Sequence, residues 1–211
     1  MTRLVDKRIV KANELITFLR NHPTVQDTFL RGSLAKGIVD EFSDIDIGID
    51  VSGYDNGEFA RELPSLLKSK FDILFYDWSP SLLPKDYVIT FICNGLPIFG
   101  IVDIQIMATP HYQSLTEVPI NKYHHLLKLW ILNLKYCLRG NEGSDSNIKK
   151  LVTRTFNKEI ESDDNFYLLF EVIKEIKSNV EPELHNFITK CEDELVRRKQ
   201  LKCFLNPMVR E

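Results

Sequence analysis

The chain has 211 residues, 44% of them hydrophobic, with 27 Lys/Arg against 30 Asp/Glu and a formal net charge of −3. That length suits one substantial core or two modest ones, and the charge divides unevenly: residues 1–120 carry 11 basic against 16 acidic side chains (net −5), residues 121–211 carry 16 against 14 (net +2). Neither half has the basic excess of a protein that grips long nucleic acid, and no apolar run approaches the roughly 18 residues of a membrane span.

In chain order, Ile9, Ala12, Leu15, Ile16 and Leu19 recur at helical spacing and end near Asn21-His22-Pro23, where proline stops a helix. Thr28-Phe29-Leu30 reads as a short strand feeding Gly32-Ser33. From Asp44 to Val51 polar and apolar residues alternate, so a second strand has Asp44, Asp46, Gly48 and Asp50 on one face and Ile45, Ile47, Ile49 and Val51 on the other. A turn at Gly53-Tyr54-Asp55-Asn56-Gly57 precedes a helix over residues 58–70, despite Pro64, and Phe71 to Tyr76 forms a third strand. Tyr87 to Cys93 and Leu96 to Met107 flank Asn94-Gly95, the dipeptide best suited to a two-residue turn, and predict an antiparallel hairpin.

From residue 121 the pattern is helical. Tyr123, Leu126, Leu127, Trp130, Ile131, Leu134 and Leu138 form one stripe, with Gly140 as its cap; Phe166, Leu169, Phe170, Val172, Ile173 and Ile176 form another; and Leu184, Phe187, Ile188, Cys191 and Leu195 follow Pro182. Three or four helices packed as a bundle are expected, with Arg139 to Ser146 as a loop. The division is a first domain over residues 1–118 and a helical second domain over 119–211, serving acceptor binding or dimerisation. Tyr123, Trp130, Phe166 and Phe170 are expected in the helical core, whereas Trp78 and Tyr76, near the sheet edge, are candidates to line a pocket.

The chemistry concentrates in residues 30–51. Gly32 lets a backbone approach a phosphate, Ser33 offers a hydroxyl and an N–H, and Asp44 and Asp46, two apart on a strand, can turn toward one divalent ion. Unscreened, such carboxylates repel, so their clustering points to a metal. Val102-Asp103-Ile104-Gln105-Ile106 supplies a third acid on another strand; Asp72 competes for that place, and Asp77 is weaker. Adjacent His124 and His125 point about 100° apart on a helix and His111 stands alone, which argues against a histidine metal site. Cys93, Cys137, Cys191 and Cys203 are too widely spaced for a zinc site or a disulfide framework, so reduced, packed thiols are expected.

Gly32-Ser33, ten intervening residues, Asp44-Ile45-Asp46-Ile47 and the later hydrophobic-Asp-hydrophobic strand resemble the nucleotidyltransferase superfamily of DNA polymerase β, over about residues 28–107. The size and helical C-terminal half look most like its aminoglycoside- and lincosamide-modifying branch. The resemblance implies an α+β fold, with a mixed sheet flanked by helices and a helical bundle after it. It further implies two Mg²⁺ ions held by Asp44, Asp46 and Asp103, with Gly32 and Ser33 on the β- and γ-phosphates of ATP or another nucleoside triphosphate. Lys36 and Lys128 would assist at the phosphates, Arg31 being a similar case, and Asp103 would also accept the proton of the attacking hydroxyl.

The activity implied is transfer of a nucleoside monophosphate, AMP from ATP, onto a hydroxyl of a small molecule such as an antibiotic, with release of pyrophosphate. Competing readings are a silent antitoxin-like or regulatory module of the same fold and an enzyme acting on protein or RNA. The N-terminus lacks the apolar stretch of a secretory signal, so a cytoplasmic location is expected; nucleic-acid and membrane partners are not, and a homodimer is plausible.

Overall fold

The computed structural model describes residues 6–205, with side chains to residue 201. Two compact units divide it, Met1–Asn121 and Lys122–Glu211.

The first unit is built on a five-stranded sheet with strand order β1-β2-β5-β4-β3. The strands are β1 (Asp27–Leu30), β2 (Ile45–Asp50), β3 (Ile73–Trp78), β4 (Tyr87–Cys93) and β5 (Val102–Met107). β5 runs parallel to β2 and antiparallel to β4, so the last strand in sequence is the central one in space. It joins two antiparallel pairs, β1 with β2 and β3 with β4.

Alternation in β2 and β5 separates the two faces. Ile45, Ile47, Ile49, Val102, Ile104 and Ile106 are buried, while Asp46, Asp103 and Gln105 are half-exposed on the other side. The apolar face packs with α1 (Lys7–Arg20) through Ala12, Leu15 and Leu19, and with α3 (Asn56–Lys68) through Phe59, Ala60, Leu63 and Leu67. Each helix starts at an aspartate whose carboxylate accepts from its first-turn N–H groups, Asp6 from Arg8 and Asp55 from Gly57 and Glu58. Pro64 lies inside α3, where its missing N–H removes one helical bond, yet it is itself buried with the apolar face.

Two expectations shift. The β4–β5 hairpin exists, but Asn94-Gly95 does not close it as a two-residue turn. Phe91 pairs with Val102, leaving a longer connection in which Ile98, Phe99 and Ile101 are buried. Pro97 has no N–H for a ladder there, and Asn94 turns aside, its backbone N–H donating to Asp72 O and its side chain to Asp72 Oδ2. Trp78, expected near a pocket, pairs with Ile89 and is buried in the hydrophobic core, with Tyr76 partly buried against the same core.

The second unit contains α4 (Lys122–Arg139), α5 (Ser144–Phe156), α6 (Asn165–Lys177) and α7 (His185–Leu205). Trp130, Ile131, Leu134, Ile148, Leu151, Leu169, Val172, Ile173, Ile188 and Cys191 are buried, and the Trp130 indole N–H donates to Leu169 O at 2.8 Å. α5 occupies part of the segment expected as loop. Phe170, expected in the core, is 37% exposed with the Lys174 ammonium over its ring. Burial pushes the Cys93 thiol up to about 11 and the Cys191 thiol further in the same direction, so both stay protonated; the side chain of Cys203 lies outside the described residues.

Candidate active site

The motif begins where β1 ends. Arg31 N–H donates to Asp46 O at 2.8 Å, extending the β1–β2 ladder by one bond. The chain then turns into the short helix α2 (Gly32–Ala35). Gly32 has φ +61°, and a Cβ there would lie 1.9 Å from Asp46 Oδ2 and 2.8 Å from its Cγ. Only glycine satisfies both the left-handed backbone and the carboxylate pressed against it. Ser33 follows with its Oγ buried and without a hydrogen-bond partner.

A braced turn leads through Asp44 into β2, which carries Asp46 to this spot. Arg8, on α1, donates through Nη1 to Asp40 O at 2.7 Å and Ser43 O at 2.9 Å, while its Nε and Nη2 hold the two carboxylate oxygens of Asp6. Within the turn, Asp40 Oδ1 accepts from Ser43 Oγ and from Phe42 N–H. Arg8 is 8% exposed and Ser43 1%, so the entry to β2 is fixed by buried polar bonds.

Among the sequence candidates, Asp46 and Asp103 are brought together: they are direct partners in the parallel β2–β5 register and occupy one face. Asp44 stands one residue before β2. Asp72 lies just before β3, at the far edge of the sheet with β5 and β4 between it and β2, and is engaged by Asn94, so Asp103 and not Asp72 is the acid beside Asp46. Asp77 is buried, opposite Thr90 on β4. Lys36 caps the end of α2 and is exposed. Lys128 is on α4 of the second unit, where it is buried.

Arg31, Gly32, Asp46, Leu82, Asp86, Val88, Asp103 and Gln105 line a cavity of about 350 Å³. Sequence reasoning passed over three of the residues that shape it. Gln105 is two residues beyond Asp103 on the same face; its carbonyl oxygen accepts from the Arg31 guanidinium and its amide donates to Asp86 Oδ1 at 2.9 Å. Thr90 pairs with Asp103 and donates its hydroxyl to Asp103 Oδ1. The i, i+2 spacing exposes Gln105 to a careful reader; Asp86 and Thr90 need the β4–β5 register. A larger cavity of about 680 Å³ lies in the second unit, where Lys149 and Arg154 stand beside Glu159 and Glu161. None of the motif residues is there, so chemistry rather than size selects the smaller one.

Among the described residues no three His, Cys, Asp or Glu side chains form a ready-made metal cage. His111, for its part, is committed to Asn56 Nδ2 at 2.9 Å and Pro84 O at 2.8 Å. Mg²⁺ does not require a cage: it is held by one or two carboxylates together with water and substrate phosphate oxygens. The Asp46–Asp103 pair, the carboxylate contact at Gly32 and the orphaned Ser33 hydroxyl fit a metal–triphosphate complex completed by the substrate.

Residues 13–92 match the family model described as Polymerase beta, Nucleotidyltransferase. Of the solved structures, one similar chain comes from "Structure and function of the polymerase core of TRAMP, a RNA surveillance complex", at 18% identity and TM-score 0.37, covering 82% of this chain and 59% of that one. The chain thus spans under two thirds of the length of that relative. No curated protein matches it.

Proposed function

We propose, from the match of residues 13–92 to the nucleotidyltransferase family model, that the protein is a Mg²⁺-dependent nucleotidyltransferase that moves a nucleoside monophosphate, AMP from ATP, onto a hydroxyl of a small-molecule acceptor of the aminoglycoside or lincosamide kind. The observation carrying this reading is the pairing of Asp46 with Asp103 on adjacent strands, beside a glycine that admits no side chain.

In this proposal Asp44, Asp46 and Asp103 hold two Mg²⁺ ions. When bound, the ions neutralise phosphate charge and make the acceptor oxygen a better nucleophile. Gly32 lets the triphosphate approach the backbone, and the Ser33 hydroxyl, buried without a protein acceptor, donates to a phosphate oxygen. Asp103 receives the proton of the attacking hydroxyl. Lys36 is assigned to the triphosphate, and Arg31, held at the cavity by Gln105, joins it. A cavity of about 350 Å³ and the net charge of −5 over residues 1–120 support a small acceptor over a polyanion.

The test is pyrophosphate release with each of the four nucleoside triphosphates, Mg²⁺ and a panel of aminoglycosides and lincosamides. Asp44→Asn and Asp46→Asn are expected to abolish turnover with circular dichroism unchanged. Undiminished release in both variants defeats the mechanism, and release only with a protein or RNA acceptor reassigns the substrate.

A further inference from the structure

Asp46, Asp103 and Thr90 form one row across β2, β5 and β4, Asp103 being in register with both neighbours. Thr90 is 3% exposed, on a strand whose neighbouring residues Val88, Ile89, Phe91 and Ile92 are apolar. Packing alone does not ask for a hydroxyl there, since valine has nearly the same shape and suits a strand equally well. A buried hydroxyl is unfavourable unless it is hydrogen-bonded, and this one donates to Asp103 Oδ1.

That bond has a consequence for the carboxylate. The terminal torsion of an aspartate is broad and nearly two-fold, so a fixed donor on one oxygen sets its rotation. With Oδ1 engaged, Asp103 is directed to offer a metal one oxygen rather than two. Ca²⁺ takes six to eight oxygens and often binds carboxylates through both, whereas Mg²⁺ demands compact octahedral geometry and takes single oxygens.

We propose that Thr90 is a positioning residue that holds Asp103 as a one-oxygen ligand and so makes the site prefer Mg²⁺ over Ca²⁺. The inference rests on the reading of Asp46 and Asp103 as metal ligands, and Thr90 acts through Asp103 without touching metal or substrate.

The experiment is Mn²⁺ binding to the full chain followed by electron paramagnetic resonance, with Mg²⁺ and Ca²⁺ as competitors. The unsubstituted protein binds Mn²⁺, and Mg²⁺ displaces it at lower concentration than Ca²⁺ does. Thr90→Val weakens Mn²⁺ by roughly ten-fold, the scale at which partners that orient metal ligands usually act, and narrows the Mg²⁺/Ca²⁺ difference; Thr90→Ser, which keeps the hydroxyl, restores both. Thr90→Ala gives the same readout as valine should valine fail to fold. Asp103→Asn separates the two ideas. If it leaves Mn²⁺ binding intact, or if the unsubstituted protein binds none, the metal reading fails and takes the proposal with it. If it abolishes binding while the folded valine or alanine variant keeps full affinity and selectivity, the role of Thr90 alone is overturned.

Discussion

A single missing methyl group organises the site. Adding a Cβ at Gly32 sets it 1.9 Å from Asp46 Oδ2 on a backbone at φ +61°, a conformation that costs an L-residue roughly 1–2 kcal/mol before any clash. Gly32→Ala is therefore expected to lower stability by about 1–3 kcal/mol in urea titrations and to remove Mn²⁺ binding by displacing the carboxylate. A variant that keeps its metal affinity contradicts this account of the glycine. The Arg8 brace gives a second residue-scale expectation. The hydrogen bond from the Arg8 side chain, outweighing the opposing effect of burial, holds the Asp6 carboxyl below its usual value of 3.8. A carboxyl with a lowered folded value adds stability above its unfolded value and loses that contribution as pH falls through the unfolded value and then the folded one. The stability gap between the unsubstituted protein and Asp6→Asn should be open at pH 6 and close below about pH 4, the ordinary aspartate range, when both are melted across that interval. At this scale Gly32, Asp46 and Asp103, which the structure brings to one cavity, can be picked from the chain by the motif. Thr90 and Asp86 carry no such local signal, because what singles them out is the residue on the next strand.

Elements were legible where one periodicity ran uninterrupted. The stripes of α1, α3, α4 and α6 and the alternation of β2 are plain because each buries one continuous face. The reading failed where apolar residues are buried without regular structure. Ile98, Phe99 and Ile101 extend the apparent strand backward from β5, but they pack inward from a connection that Pro97 excludes from the ladder. The expected loop over Arg139 to Ser146 took in the first residues of α5 because Gly143, at φ +77°, ends the glycine-rich stretch immediately before it, and the rest of the helix gave no stripe because its buried residues are few: Ile148, Leu151, Val152 and Thr155. Packing between α4 and α6 carries a testable bond. Trp130→Phe removes the indole donor to Leu169 O and is expected to lower stability by about 1–3 kcal/mol in thermal or urea melts, without changing Mn²⁺ binding to the first unit. An unaltered midpoint would mean that this bond contributes nothing to the helical unit.

For the whole molecule, charge distribution bears on the proposed small-molecule acceptor. Residues 1–120 are net acidic and residues 121–211 only slightly basic, whereas nonspecific affinity for a polyanion requires several lysines or arginines on its phosphates. Single-stranded RNA of about 20 nucleotides should show no retention in a gel-shift assay at 150 mM salt, conditions under which electrostatic binding by few phosphate contacts is weak. Tight, salt-resistant retention would redirect the search toward a nucleic-acid acceptor. The fold class follows from the order of patterns along the chain, strands first and helices after, but the acceptor does not, because a fold of this kind hosts many reactions.

The insertion of β5 between β2 and β4 also makes the whole sheet depend on its last strand. Without residues 102–107 the other four strands would be two separate ribbons, each with an open rim of amide and carbonyl groups that β5 otherwise pairs. The strand that closes those rims also carries Asp103, so the carboxylate pair is complete only when the sheet is.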